Sequence, residues 1–460
     1  MPTKSAIQAV VAVLALSSFT TSVQAARLLG VVTNVQKETS CPTSLGGVAV
    51  TWLPTEVCYH AVVSCPEMAD IGVTIALAPA AGYSSTNLME GLVIVPDGVD
   101  GTHLDSPAFP YNESGYGDVD VIWDSPWQGV GAVEPDLSRG NADTYRIGGT
   151  LWPKSGSVKA AGCRPATLFK WIYENYYVAE SDHYTSTAGM CAKGGSGGAA
   201  QIANALTFYG AGDYLDKVEL GPGPQWSDLD IGCSASATTI KVCDSTTEAG
   251  KLGCNPVAGS WNDIGQYFRF TASMQKWTGY PGCNSTSQTR AEEIAWGQMS
   301  LNDGPYLTTP DASYTYPQTA ITAWQTDNDS DYNNMSEGQG WQWYQNFKSA
   351  SQVAGGCDNM PSGGAYYGPG GACFSVNRAY GNNKSQENIA FSYVCLNGVC
   401  PVCSGIGTFT TCTCGDAPCP SQFDCATAAG NSPQTTSKWC YEVARTLDFT
   451  DPKNGCHKRH

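Results

Sequence analysis

Ser196 sits at the centre of Gly194-Gly195-Ser196-Gly197-Gly198, a G-x-S-x-G pentapeptide. A strand-like run, Thr187–Ala192, precedes it. A helix-like run, Ala199–Tyr209, follows and is closed by Gly210. Strand, sharp turn and helix together are the setting of a nucleophile elbow. Glycines flank the serine because the turn leaves no space for side chains. The helix start favours negative charge developing beside the hydroxyl. The alternative for the same residues is a glycine-rich turn or anion-binding loop with an ordinary serine.

A serine hydroxyl needs a base within hydrogen-bond reach, a group that orients that base, and donors aimed at the oxyanion. The backbone N–H of Gly197, the residue after the serine, is one candidate donor. The second is expected from the loop after an earlier strand. Pro96-Asp97-Gly98-Val99-Asp100-Gly101 is the natural place, with Gly98 and Val99 as its candidate donors. The alternative there is a plain glycine-rich turn.

The elbow, its surroundings and the order of elements resemble the α/β-hydrolase superfamily. Within it, GCRPATLFKWIYENYY followed by GMCAKGGSGGAAQIANALTFYG resembles secreted esterases and polyester-depolymerase-like hydrolases. The resemblance implies acyl transfer through an acyl-serine, with the triad in the order serine, acid, histidine. It implies an acid just after a late strand, where Asp327 and Asp329 stand. Asp329 is also the middle residue of the sequon Asn328-Asp329-Ser330, and the same loop could instead be a simple Asp/Asn-rich or calcium-binding loop. The resemblance places the histidine after the last strand, around residues 397–408, and none occurs there. The chain has five: His60, His103, His183, His457 and His460. His457 keeps the triad order and is anchored by Cys456. As the base it requires the tail to fold back over the strand ends. His103 and His183 are the lesser candidates. No metal and no cofactor is expected.

The elements that would carry these groups alternate as in a doubly wound, mostly parallel α/β sheet. Leu28–Val35, Val48–Leu53, His60–Ser64, Val73–Leu77, Gly91–Val95 and Val119–Trp123 read as strands. Pro165 opens a helix with Leu168, Phe169 and Ile172 on one face. Leu215–Leu220, Thr319–Gln325 and Asn388–Leu396 read as later strands, and residues 358–372 as a glycine-rich loop. The expected fold class is thus α/β-hydrolase-like, with a disulfide-rich insertion at about 221–315 and a C-terminal tail. The tail, residues 400–460, holds eight of the 20 cysteines. The main domain is expected to span residues 26–399.

Residues 1–25 read as a signal peptide: Lys4, a short apolar stretch, and Val23-Gln24-Ala25 as the cleavage site. The cysteines then read as disulfides in a secreted chain. Sequons begin at Asn112, Asn284, Asn328, Asn334 and Asn383, so glycans are expected on some of them. A net charge of −17 and a pI near 4.6 argue against nucleic acid as a partner. No further run is long enough to span a membrane. The expected partner is a small or polymeric ester met by a monomer. The contrasting expectation is an inactive hydrolase scaffold serving as an extracellular binding or wall-associated protein, motivated by the missing histidine.

Overall fold

The computed structural model describes residues 27–98 except 46, 47, 51, 53 and 67; 101–102, 112 and 115–127; 158–195, 197–220 and 311–326. It also describes isolated positions at 223–301 and 343–355, and short segments at 365–367, 373–377, 401–403, 412–414, 417–418 and 456–459. One sheet of 11 strands organises them. Its strands are β1 (Val31–Lys37), β2 (Val57–Ser64), β3 (Ile71–Ala78), β4 (Met89–Pro96), β5 (Tyr116–Trp123), β6 (Tyr184–Gly194), β7 (Lys217–Leu220), β8 (Tyr316–Thr326), β9 (Val353–Gly355), β10 (Ala365–Tyr367) and β11 (Cys373–Asn377). The spatial order is β1-β2-β3-β5-β4-β6-β7-β8-β11-β10, with β9 also paired to β8. From β5 through β4, β6, β7 and β8 to β11, every neighbouring pair is parallel. β1, β2 and β3 join antiparallel at one side.

Runs such as IGVTIALA and MEGLVIVP form these strands because β-branched and apolar side chains suit a sheet buried on both faces. Chain order reverses at β4. The chain leaves β4 for β5 on one side, then crosses to β6 on the other. Open α/β sheets bind ligands at such a reversal, outside the carboxyl ends of the strands.

Two described helices, α1 (Cys163–Ile172) and α2 (Gly197–Tyr209), share one face of the sheet. A π-helical turn, Tyr173–Val178, prolongs α1. Leu168, Phe169 and Ile172 of α1 and Ile202 and Leu206 of α2 are buried in one core with Val73, Ile94, Val121, Ala192 and Val218. Each of the Leu, Ile, Val and Phe side chains contributes about 1.5–3 kcal/mol on burial. Side chains alternate along a strand, so Asp118, Asp120, Cys191, Lys193, Lys217 and Glu219 belong to the opposite face. There Cys191 packs with Val93, Tyr116 and Cys456.

Three disulfides join described residues: Cys41–Cys58, Cys65–Cys163 and Cys191–Cys456. The second ties the end of β2 to the first residue of α1. The third brings the chain's end onto β6. Part of the tail forms a small three-stranded sheet, Pro401–Cys403, Cys412–Cys414 and Ala417–Pro418.

Several expectations shift. The strand expected at Val48–Leu53 is a two-residue piece, Val48–Ala49, hairpinned with Ser44–Leu45. The region expected to be loop contains β10. The strand beside β8 is Cys373–Asn377, whereas Asn388–Leu396, the signal peptide and most of the insertion lie outside the described residues. Asn112 is buried at 7% exposure, with its amide donating to the Pro79 carbonyl, so the folded chain does not present it for glycosylation. Among the described residues, no helix is long and apolar enough to cross a membrane.

Candidate active site

β6 ends at Gly194 and α2 begins at Gly197, leaving only Gly195 and Ser196 between strand and helix. The turn closes with the Gly198 N–H donating to the Gly195 carbonyl at 2.7 Å. It tolerates no side chains at its flanks. A Cβ on Gly194 would lie 2.3 Å from the Gly198 carbonyl carbon, and one on Gly198 would lie 2.2 Å from the Pro96 oxygen. The second contact presses the helix start against the carboxyl end of β4. The turn therefore stands at the β4/β6 reversal, where a ligand crevice is expected.

The loop after β4 lies beside it. Asp97 N–H donates to the Val121 carbonyl at 3.2 Å, and Gly101 N–H donates to the Gly98 carbonyl at 2.7 Å. Gly98 N–H donates to its neighbour's carboxylate, Asp97 Oδ1, at 2.9 Å. A sharp strand-to-helix turn with a loop from the adjacent parallel strand is the layout of a nucleophile elbow and its oxyanion loop. The fold is α/β-hydrolase-like.

No protein-family model matches the chain. No curated protein matches it either. Among solved structures, it resembles acetyl xylan esterase 1 from Thermoanaerobacterium at 10% identity and a TM-score of 0.38, over 76% of this chain and 83% of that one. An acetyl xylan esterase from Paenibacillus gives 14% identity and a TM-score of 0.35, over 76% of this chain and 84% of that one. Prolyl oligopeptidase B from Galerina marginata gives 9% identity and 0.37, over 85% of this chain but only 37% of that one. Likenesses at these scores carry no weight beside the strand order and the turn.

Of the residues singled out in the sequence, Gly197 and Gly98 lie on neighbouring elements, the start of α2 and the loop after β4, which meet where Gly198 approaches the Pro96 and Asp97 carbonyls. Ser196, Val99, Asp327, Asp329, His103 and His460 lie outside the described residues. β8, which leads into Asp327, ends at the same edge of the sheet as Gly194: Leu220 pairs with Gly194 on one side and with Ala323 on the other. The structure does not bring His457 to the turn. Its backbone bridges Ala188, and Lys458 N–H donates to the Thr187 carbonyl at 3.0 Å. Ala188 lies six residues before Gly194, which is roughly 20 Å of strand, far beyond the reach of an imidazole. The tail folds back onto β6 as required, but onto its amino half. The physical cause is the Cys191–Cys456 bridge, from which the tail runs antiparallel to β6, away from Gly194 and toward Ala188 and Thr187, together with Gly189. A Cβ there would come within 2.7 Å of the His457 backbone. The other described histidines are also distant. His183 precedes β6 at its amino end, with Nδ1 3.3 Å from Glu180. His60, on β2, holds Asp124 at 2.9 Å, four strands from β6, or roughly 19 Å.

Sequence reasoning passed over a buried charge cluster next to the turn. Lys193 directly precedes Gly194 and pairs in register with Glu219. Lys217 Nζ lies 3.0 Å and Lys193 Nζ 3.8 Å from the Glu219 carboxylate. Burial lowers the Lys193 pKa to about 8, against the pull of Glu219 and with help from Lys217. On β5, burial raises the Asp118 and Asp120 carboxyls well above the usual range; Glu56 adds to the shift at both, and Asp118 adds to it at Asp120. The signal for these groups was charge inside otherwise apolar strands, Asp-Val-Asp-Val and Lys-Val-Glu-Leu.

Proposed function

We propose that this protein is an exported serine hydrolase that cleaves esters by acyl transfer through Ser196. The observation that carries this reading is the two-residue link between β6 and α2 at the sheet's reversal point. Its flanking glycines admit no side chain and its helix start is pressed against Pro96. Ser196 Oγ attacks the ester carbonyl carbon and gives up its proton to a base. The oxyanion accepts hydrogen bonds from the Gly197 N–H and from the loop at Gly98 and Val99. The tetrahedral adduct collapses, and the alcohol departs with the proton. Water then repeats the sequence on the acyl-serine and releases the carboxylic acid. Asp327 or Asp329, following β8, supplies the acid that orients the base. Three disulfides and a leader-like N-terminus support export.

A fluorophosphonate probe tests the nucleophile. Wild-type protein labels at Ser196, and Ser196→Ala loses both labelling and ester turnover. A second reading, a binding protein on a hydrolase scaffold, draws on the distance of His457 from the turn, and absence of labelling in folded protein favours it. The pH–rate profile identifies the base. A limb near about 6.5 assigns it to a histidine, with His103 following the loop at Gly101-Thr102. A limb near about 8 assigns it to Lys193. His457→Ala leaves turnover unchanged.

A further inference from the structure

Gln201 lies one turn into α2, with no exposed surface. Its side-chain amide makes two hydrogen bonds that leave the helix in different directions. Nε2 donates to the Asp97 carbonyl at 3.0 Å, and Oε1 accepts from Trp123 Nε1 at 2.8 Å. Trp123 is the last residue of β5, and its own N–H donates to the Gly101 carbonyl at 2.7 Å. One buried amide thus joins the helix that starts beside Ser196, the end of β5 and the start of the loop after β4, while the Trp123 backbone holds the same loop at Gly101.

The direction of these bonds has a chemical consequence. In a trans peptide the C=O and the following N–H point in opposite directions. Holding the Asp97 carbonyl toward α2 turns the Gly98 N–H away from it. Asp97 Oδ1 meets that N–H at 2.9 Å. The Asp97 carboxylate holds this donor, and an oxyanion reaches it by displacing Oδ1. Gly197, at the first position of α2, is fixed to the same helix as Gln201. The separation of the two donors then depends on Gln201 together with the Asp97–Val121 and Gly101–Gly98 bonds and the close approach of Gly198 to Pro96.

Building on the hydrolase reading, we propose that Gln201 is a positioning residue for the oxyanion site, orienting the Asp97–Gly98 peptide relative to the Gly197 N–H. Donors to an oxyanion act on the transition state and not on bound substrate. Loss of Gln201 therefore lowers kcat and leaves KM nearly unchanged. Gln201→Leu removes both bonds. Gln201→Glu keeps an acceptor for Trp123 but replaces the donor to Asp97 with a carboxylate. Trp123→Phe removes the bond that steadies Gln201 and keeps an aromatic ring in the buried site.

The test compares each full-length variant on an ester and on its thionoester counterpart, whose sulfur accepts hydrogen bonds poorly. Wild-type protein favours the ester. The expected result is a kcat on the ester reduced roughly tenfold to a hundredfold in both Gln201 variants, with KM within about twofold. The ester-to-thionoester ratio falls with it, and Trp123→Phe shifts the ratio the same way to a smaller degree. A merely structural role would slow both substrates equally. An unchanged ratio in the variants that fold, whatever their absolute rates, overturns the role of Gln201 while leaving the serine mechanism standing. Wild-type protein that neither labels with fluorophosphonate nor cleaves the ester overturns both.

Discussion

The two faces of the sheet solve the problem of burial in opposite ways. On the helix side, α1 and α2 meet Val73, Val121, Ala192 and Val218 in a continuous apolar core. On the tail side, the same strands present Asp118, Asp120, Lys193, Lys217 and Glu219, none more than 9% exposed. Charged side chains are seldom buried this deeply unless paired. Lys193, Lys217 and Glu219 are paired, and the two aspartates instead have raised pKa values. One face holds the fold together by area. The other spends some of that stability on electrostatics within a few residues of the turn, as functional sites commonly do.

Breaking the charge cluster should have the largest effect. Glu219→Leu leaves two ammonium groups facing each other in the interior, at a cost of about 3–5 kcal/mol, read by chemical denaturation. Replacing Lys193 and Lys217 with methionine in the same chain should recover most of that loss, because apolar residues often substitute for a buried ion group without penalty. On the opposite face, Leu206→Ala opens a cavity in a core without charges, at a cost of about 2–5 kcal/mol. No compensating substitution of charge can rescue it. The contrast between a rescuable and an unrescuable loss measures how differently the two faces are built.

The smallest effect sharpens the comparison by pH. Burial holds the folded-state pKa of Asp118 and Asp120 well above the ordinary carboxylate value of 3.8. Their contribution to stability is complete below that value and is lost as pH rises through the folded pKa. Asp120→Asn should raise the melting temperature at pH 7 by roughly 2 °C, with the gain vanishing near pH 4. Lys193, lowered to about 8, runs the other way: its contribution is present above the unfolded value of 10.5 and lost as pH falls through 8. The tail-side face is therefore least stable at intermediate pH, between the two windows.

The two faces also differed in how legible they were. The apolar runs of β3 and β4 and the three-to-four spacing of Leu168, Phe169 and Ile172 announce a core. The strands around the turn followed from them, as did the turn itself with its clustered glycines. The tail-side face was hidden because Val119-Asp120-Val121 alternates as a strand with one wet side would, and only tertiary packing buries the aspartates. Gln201 was equally invisible. A glutamine in a helix is unremarkable until the chain returns Asp97 and Trp123 to it from about 80–100 residues away. His457 misled because triad order constrains sequence only, whereas its position is fixed by the bridge of Cys456 to Cys191 and by its own pairing with Ala188.

That bridge also orders events in time. Cys191 and Cys456 are 265 residues apart, so at typical synthesis rates the first thiol waits tens of seconds for its partner. The strand that feeds the turn is thus sealed only after the whole intervening chain has been made. Loss of Cys456 by substitution would leave Cys191 on β6 as a lone thiol, open to mispairing with any of the tail's other cysteines.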